Sequence, residues 1–171
     1  ATTRQDPALS ASELQAAEAQ LALRLPGEDP FLLVHLSRPG DPRSWPEANY
    51  RELARSAAER SLETLFLSGP DEADLGRRLA AEVPSVRHWV EQRGLRELAA
   101  LFSAAARRGA HLLACDSGPM HLAAACGLPV TLLAGPQDPR ATGPMAWGSH
   151  HSALHASLPP ACAPCKLRQC H

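Results

Sequence analysis

The chain has 171 residues, 44% of them hydrophobic, and a formal net charge of −1. This length is enough for one domain with a sizeable core that needs no disulfides, and the near-zero charge argues against an electrostatic surface for nucleic acid. No apolar run is long enough to span a membrane, and the first residues lack the apolar core of a signal peptide.

Helical and strand patterns alternate along the chain. Apolar residues three and four apart mark the helices, continuous apolar runs mark the strands, and Pro or Gly ends most segments. In chain order we predict a linker or disordered lead at 1–10, a helix at 11–25 capped by Ser10, a strand at 31–36, a helix opened by Trp45-Pro46 and running to 60, a strand at 62–67, a helix ending near 82, a weak strand within 83–90, a helix at 95–108, a strand at 110–115, a helix at 120–126, strands at 130–134 and 152–158, and a Cys-rich tail at 159–171.

This alternation predicts the fold class. Strands that alternate with helices form right-handed βαβ units around a parallel sheet. We therefore expect an α/β, Rossmann-like, three-layer αβα domain over residues 11–158.

The turn that follows strand 110–115 is the strongest candidate for a binding site. It reads Asp-Ser-Gly-Pro and lies where ligands bind in open α/β sheets, at the carboxyl end of a strand. The helix after it offers unpaired N–H groups and a partial positive charge, which suit a phosphate. Asp116 can cap this helix or bind sugar hydroxyls, and both roles can hold together. Ser117 and the Gly118 backbone can donate to phosphate.

A second candidate is Glu72, which ends a strand and begins a helix. A carboxylate in such a turn accepts hydrogen bonds from ribose hydroxyls in dinucleotide sites. The alternative is that Asp71 and Glu72 only complement a helix N-terminus, where acidic residues are common. The sequence leaves these two interpretations equal.

The third candidate is the Cys-rich end of the chain. Cys162, Cys165, Cys170 and His171 offer three thiols and an imidazole, which in a tetrahedral arrangement bind zinc or iron. Adjacent Cys170 and His171 seldom chelate one ion, so we prefer thiols in a packed tail, with no metal and no cofactor. The five cysteines lack the spacing of a secreted disulfide scaffold and so indicate a reducing, cytoplasmic compartment.

Four segments together resemble glycosyltransferase family 9, the bacterial ADP-heptose heptosyltransferases. The longest match is the run Asp116-Ser117-Gly118-Pro119-Met120-His121-Leu122-Ala123-Ala124-Ala125, followed by Gly127-Leu128-Pro129. The others are Arg43-Ser44-Trp45-Pro46, with Arg43 where the family has Lys, the Gly69-Pro70-Asp71-Glu72 turn, and the loop at 135–144. The resemblance extends from about residue 30 to 170 but covers only the C-terminal half of a GT-B glycosyltransferase.

The resemblance implies the donor-binding domain of an inverting glycosyltransferase. Such an enzyme transfers a heptose from an ADP-sugar to a lipopolysaccharide core acceptor, and an absent N-terminal domain supplies the acceptor site and the general base. The implied location is the cytoplasm, with peripheral contact at the inner membrane, and this chain alone is expected to be inactive. The substrate-binding residues implied are Ser37, Arg43, Glu72, Asp116, Ser117, Gly118, Pro119, Met120 and His121.

Three alternatives stay open at this point. One is a non-catalytic binding or assembly module that keeps the fold, since Arg43 replaces the family's Lys and geometry differs between the two cations. Another is a GT-B domain that uses a different nucleotide sugar. The last is a thiolate–metal domain centred on the tail.

Overall fold

A computed structural model of the chain describes residues 8–91, 94–144, 148–157 and 161–165. The strands are β1 (Leu32–His35), β2 (Thr64–Ser68), β3 (Val86–Val90), β4 (His111–Cys115), β5 (Val130–Leu133) and β6 (Ser152–Leu154). The helices are α1 (Ala11–Arg24), α2 (Glu47–Glu59), α3 (Ala73–Glu82), α4 (Leu95–Arg107), α5 (Gly118–Ala125) and α6 (Pro139–Thr142), with a 3₁₀ turn at Pro70–Glu72. Within these ranges, no helix combines the length and apolar character that crossing a membrane requires.

The strands form one parallel sheet in the order β3-β2-β1-β4-β5-β6. The chain winds outward from β1 to β3, returns to the centre and then winds outward again from β4 to β6. The connections that leave β1 and β4 therefore diverge, although the two strands are hydrogen-bonded neighbours. A crevice opens between such connections at the carboxyl edge of a sheet.

Each face of the sheet packs against its own helices, which confirms the predicted three layers. Alternate strand residues point to opposite faces, so Leu33 and Leu112 join one core whereas Val34 and Leu113 join the other. The first core includes side chains of α1, α4 and α5, and the second includes those of α2 and α3. Because both faces are covered, the strands read as continuous apolar runs.

The predicted start of the first helix is confirmed. Ser10 is the N-cap of α1, and its side chain accepts a hydrogen bond from the Glu13 amide. The Glu13 carboxylate in turn accepts from the Ser10 amide at 2.7 Å. This reciprocal pair is a capping box, which satisfies two of the N–H groups that a helix leaves unpaired at its start.

Two predicted strand boundaries were wrong, and one short helix was not predicted. The second strand begins at Thr64 rather than Leu62, because Ser61 has a φ of 55° and turns the chain before the strand. The last strand ends at Leu154, since it pairs over only three residues with β5, and Leu158 lies outside the described residues. The loop at 135–144 contains the short helix α6, whose N-cap Asp138 is followed by a proline, a typical helix start.

Two histidines, His35 partly buried and His151 buried, should make the fold sensitive to acid. Burial lowers the pKa of His35 on β1 to about 4. His151 is 6% exposed, neither of its ring nitrogens has a hydrogen-bond partner within the described part of the chain, and burial lowers its pKa to about 4 as well.

We expect the free energy of unfolding to be nearly constant between about pH 6.5 and 8 and to fall as the pH drops from 6.5 towards 4. In that window the unfolded chain binds protons that the native histidines exclude, so each group contributes up to about 1.4 kcal/mol per pH unit. Urea titrations at pH 7.5, 6 and 5 measure this slope. The variant His151→Leu should flatten it, and a slope of zero in the unaltered chain would contradict the assignment.

Candidate functional site

An open groove of about 560 Å³ lies at the carboxyl ends of β1 and β4. It occupies the crevice that the sheet order predicts, between the loop after β1, the turn after β2 and the turn after β4. Five of the residues proposed from the sequence line it together: Ser37, Arg43, Glu72, Asp116 and Ser117. The remaining four, Gly118, Pro119, Met120 and His121, continue from Ser117 into the first turn of α5.

Arg43 is held in the groove by Asp41. The Asp41 carboxylate accepts from the Arg43 backbone amide at 2.9 Å, from Nε at 3.0 Å and from Nη2 at 2.7 Å. This contact raises the pKa of Arg43 above its ordinary value, and the nearby Asp116 carboxylate adds to the effect. The guanidinium is therefore fixed and charged at any accessible pH.

The loop after β5 supports the backbone of Arg43 from behind. A Cβ placed on Gly135 would lie 3.1 Å from the Cα of Arg43, a tight contact that glycine avoids. The Cys165 amide donates to the Pro136 carbonyl at 2.7 Å, which attaches the end of the described chain to the same loop. Within the loop at 135–144, Gly135 is thus the residue that lies against Arg43.

Ser117, not Asp116, is the N-cap of α5. The Ser117 hydroxyl accepts from the Met120 amide at 3.4 Å, and the Ser117 carbonyl accepts from the His121 amide at 3.3 Å. The proposal that Asp116 caps the helix is therefore wrong. An N-cap side chain bonds the amide two or three residues on. Pro119, three residues after Asp116, has no N–H, so an Asp116 cap would have only the Gly118 amide, whereas the Ser117 hydroxyl bonds the Met120 amide.

The Gly118 amide is what the first turn of α5 offers to a ligand. The helix uses the amides of Met120 and His121, and Pro119 has none, whereas the first N–H of a helix has no intrahelical partner. A Cβ on Gly118 would meet no atom within 4 Å, so the space over this residue is open. The Met120 side chain, by contrast, is fully buried in the core and is not available to a ligand.

Asp116, released from capping, lies beside His121. Its Oδ1 is 3.4 Å from Nε2 of the imidazole, and the Asp116 side chain is 13% exposed. Of this pair, Asp116 is among the residues that line the groove, whereas His121 is not.

The Ser37 hydroxyl belongs to an internal network beneath the groove. It accepts from the Trp45 amide at 3.3 Å and lies 2.9 Å from the Tyr50 hydroxyl, which in turn lies 3.9 Å from Sγ of Cys115. Burial raises the pKa of both Tyr50 and Cys115, so both groups stay protonated. Ser37 thus fixes the loop after β1, and this role was not evident from the sequence.

Glu72 and an ion pair form the other side of the groove. Glu72 ends the 3₁₀ turn, and its Oε2 lies 3.0 Å from the point where a Cβ of Gly69 would be. Its neighbour Asp71 is hydrogen-bonded to Arg38, which connects this turn to the loop after β1. Of the two acidic residues in the turn, Glu72 is therefore the one that lines the groove.

Comparison with known proteins identifies the chain. A model of "Glycosyltransferase family 9 (heptosyltransferase)" matches residues 1–171. The chain belongs to glycosyltransferase family 9. It is 34% identical over 154 residues to lipopolysaccharide heptosyltransferase 1 of Pseudomonas aeruginosa, a match that covers 88% of this chain and 40% of that protein.

Solved structures of other proteins share the fold of this family 9 chain. A glycosyl transferase of family 9 from Veillonella parvula superposes with a TM-score of 0.72 at 21% identity, covering 86% of this chain and 42% of that one. E. coli heptosyltransferase WaaC, solved with ADP-2-deoxy-2-fluoro heptose, gives 0.61 at 25% identity, covering 81% and 41%. The chain therefore spans about two fifths of the length of these relatives.

Three groove residues with a charged or imidazole side chain were missed from the sequence of this family 9 chain. His35, Arg38 and Asp41 line the groove but do not belong to the segments that carried the resemblance. For Asp41 a signal existed, because an acidic residue two positions before an arginine and separated by Pro42 favours a local turn. His35 and Arg38 carry no such signal.

The tail remains a prediction. Cys162 is exposed and Cys165 is half-buried, while Cys170 and His171 lie outside the described residues. No group of three metal-ligating side chains occurs among the residues that the structure describes.

We expect Tyr50→Phe to lower the free energy of unfolding by about 1 kcal/mol, since it deletes the hydroxyl shared by Ser37 and Cys115 while keeping the buried ring. Urea denaturation measures the loss. The ring also contacts Trp45 and Phe66 edge-on, and Phe retains these contacts. An unfolding free energy equal to that of the unaltered chain would show that the network contributes nothing to stability.

Proposed function

We propose that this chain is the donor-nucleotide-binding half of an inverting glycosyltransferase and that the groove binds ADP and an ADP-sugar. The observation that carries the proposal is the meeting of three turns, remote in sequence, that hold Arg43, Glu72 and Asp116 at one groove. Family membership and the relative solved with an ADP-heptose analogue support the same ligand class.

Each part of the ligand has a partner in the groove. The diphosphate lies between the Arg43 guanidinium and the Gly118 amide at the N-terminus of α5, where an anion is favoured. The Glu72 carboxylate accepts from the ribose hydroxyls. Asp116 accepts from hydroxyls of the donor sugar. The proposal assigns the diphosphate to these N–H donors and gives no part to a resident metal or cofactor.

The proposed reaction is the transfer of a heptose to a lipopolysaccharide core acceptor. A base deprotonates the acceptor hydroxyl, the oxygen attacks the anomeric carbon, and ADP leaves with the bonding electrons. Donors already aimed at the leaving diphosphate stabilise its charge in the transition state. We assign the base and the acceptor site to a second domain of the enzyme, which would work at the cytoplasmic face of the membrane that carries the acceptor.

Titration with ADP tests the proposal directly. We expect calorimetry to detect ADP binding in the micromolar to millimolar range, and Arg43→Ala to weaken it at least about tenfold because a charge-assisted contact to phosphate is lost. Parallel titrations with UDP and GDP test which nucleobase the groove prefers. Tighter binding of either would favour a different nucleotide sugar, and no binding of any nucleotide would favour a non-catalytic module.

A second prediction concerns the open space over Gly118. We expect Gly118→Ala to leave thermal stability almost unchanged, since the added methyl group meets no protein atom within 4 Å, but to abolish ADP binding because it occupies the place of the phosphate. The control is Gly94→Ala at the N-cap of α4, outside the groove. Equal ADP affinity of the Gly118→Ala variant and the control would contradict the proposed phosphate position.

A further inference from the structure

Charge alone does not explain how the groove would hold a diphosphate. Among the described residues that line it, three carboxylates stand against two arginines: Asp41, Glu72, Asp116, Arg38 and Arg43. Long-range attraction for an anion is therefore weak, and binding must come from N–H groups that already point at the ligand. The orientation of the Arg43 guanidinium therefore determines how well its N–H groups can reach the diphosphate.

The contact with Asp41 uses one edge of the Arg43 guanidinium. Arginine has five N–H groups in a rigid planar fork. Nε and Nη2 each donate one to Asp41, in a parallel pair of hydrogen bonds of 3.0 and 2.7 Å. Three N–H groups remain, and the plane in which they lie is fixed by Asp41.

The same local structure occurs a second time in the chain. Asp138, Pro139 and Arg140 repeat the sequence Asp-Pro-Arg, and the Asp138 carboxylate accepts from the Arg140 amide at 2.9 Å and from its Nε and Nη2 at 3.2 Å. We call this arrangement, in which the aspartate carboxylate accepts from the amide, Nε and Nη2 of the arginine two residues on, the Asp-Pro-Arg clamp. Its recurrence indicates that the tripeptide itself determines it. The two arginines differ in their surroundings. The side chain of Arg140 is 89% exposed, whereas that of Arg43 is 35% exposed and lines the groove.

We infer that Asp41 is a positioning residue for phosphate recognition, which fixes the Arg43 fork so that its three remaining N–H groups meet the diphosphate. The inference rests on the proposed function. It accounts for arginine at a position where the resemblance leads one to expect lysine, because an ammonium has no planar fork for a carboxylate to orient. If Asp41 instead competed with the ligand for Arg43, removing the Asp41 charge would tighten ADP binding. If Asp41 positions Arg43, removing that charge weakens ADP binding.

The test is a double-mutant cycle on the 171-residue chain. Asp41→Asn keeps a side-chain oxygen for the Arg43 amide, so the turn persists, but it weakens the paired contact to the fork. We expect Asp41→Asn to weaken ADP binding about tenfold in the presence of Arg43, but less than about twofold in the background Arg43→Lys. Adenosine lacks phosphate, so we expect Asp41→Asn to leave its affinity unchanged. Ligand-observed NMR measures this affinity for the variant and for the unaltered chain.

The matched control is Asp138→Asn, which opens the identical clamp outside the groove and should leave ADP affinity unaltered. Circular dichroism and thermal unfolding check that all variants are folded. Tighter ADP binding by Asp41→Asn, equal losses in the Arg43 and Lys backgrounds, or a parallel loss for adenosine would each overturn the inference while the proposed function stands. Failure of the unaltered chain to bind ADP would overturn the proposed function and this inference with it.

Discussion

The pairing of β1 with β4 at the centre of the sheet determines where this protein can bind anything. The register, from Leu32 opposite His111 to His35 opposite Ala114, brings the two strand ends level. The chain leaves these ends in opposite directions, so no connection covers the gap. Ser37 and Asp116, which are 79 positions apart in the sequence, thereby line one groove. Both hydrophobic cores stabilise this pairing, since each packs against one face of β1 and β4.

Rigid support distinguishes this groove from a cluster of charged residues on a surface. The Ser37 hydroxyl fastens the start of the loop to Trp45 and Tyr50, and Gly135 fits against the backbone of Arg43. The Ser117 cap fixes the first turn of α5. Donors held in this way need little reorganisation when a ligand arrives, and this matters most where the surrounding charges nearly cancel.

Sequence patterns predicted the architecture and the strand–turn–helix units because apolar periodicity and Pro or Gly punctuation are local signals. The capping of α5 was also partly encoded, since Pro119 leaves an Asp116 cap only the Gly118 amide whereas Ser117 can bond the Met120 amide. Two adjacent residues that both favour the N-cap position made this difficult to predict. The engagement of the Ser37 hydroxyl was not encoded locally. It depends on Tyr50 and Cys115, which tertiary packing brings together from two other elements. The short β6 likewise follows from how far its neighbour β5 extends.

The two Asp-Pro-Arg tripeptides separate what a local motif determines from what it does not. Each folds its arginine onto its aspartate through the same three hydrogen bonds, so local chemistry alone fixes the fork. Only the first follows β1 at the crevice beside β4, whereas the second follows β5 and begins α6. A search for the tripeptide would rank them equal. Their difference arises from strand order, because an aimed cation contributes to binding only where the sheet leaves a crevice for it to face.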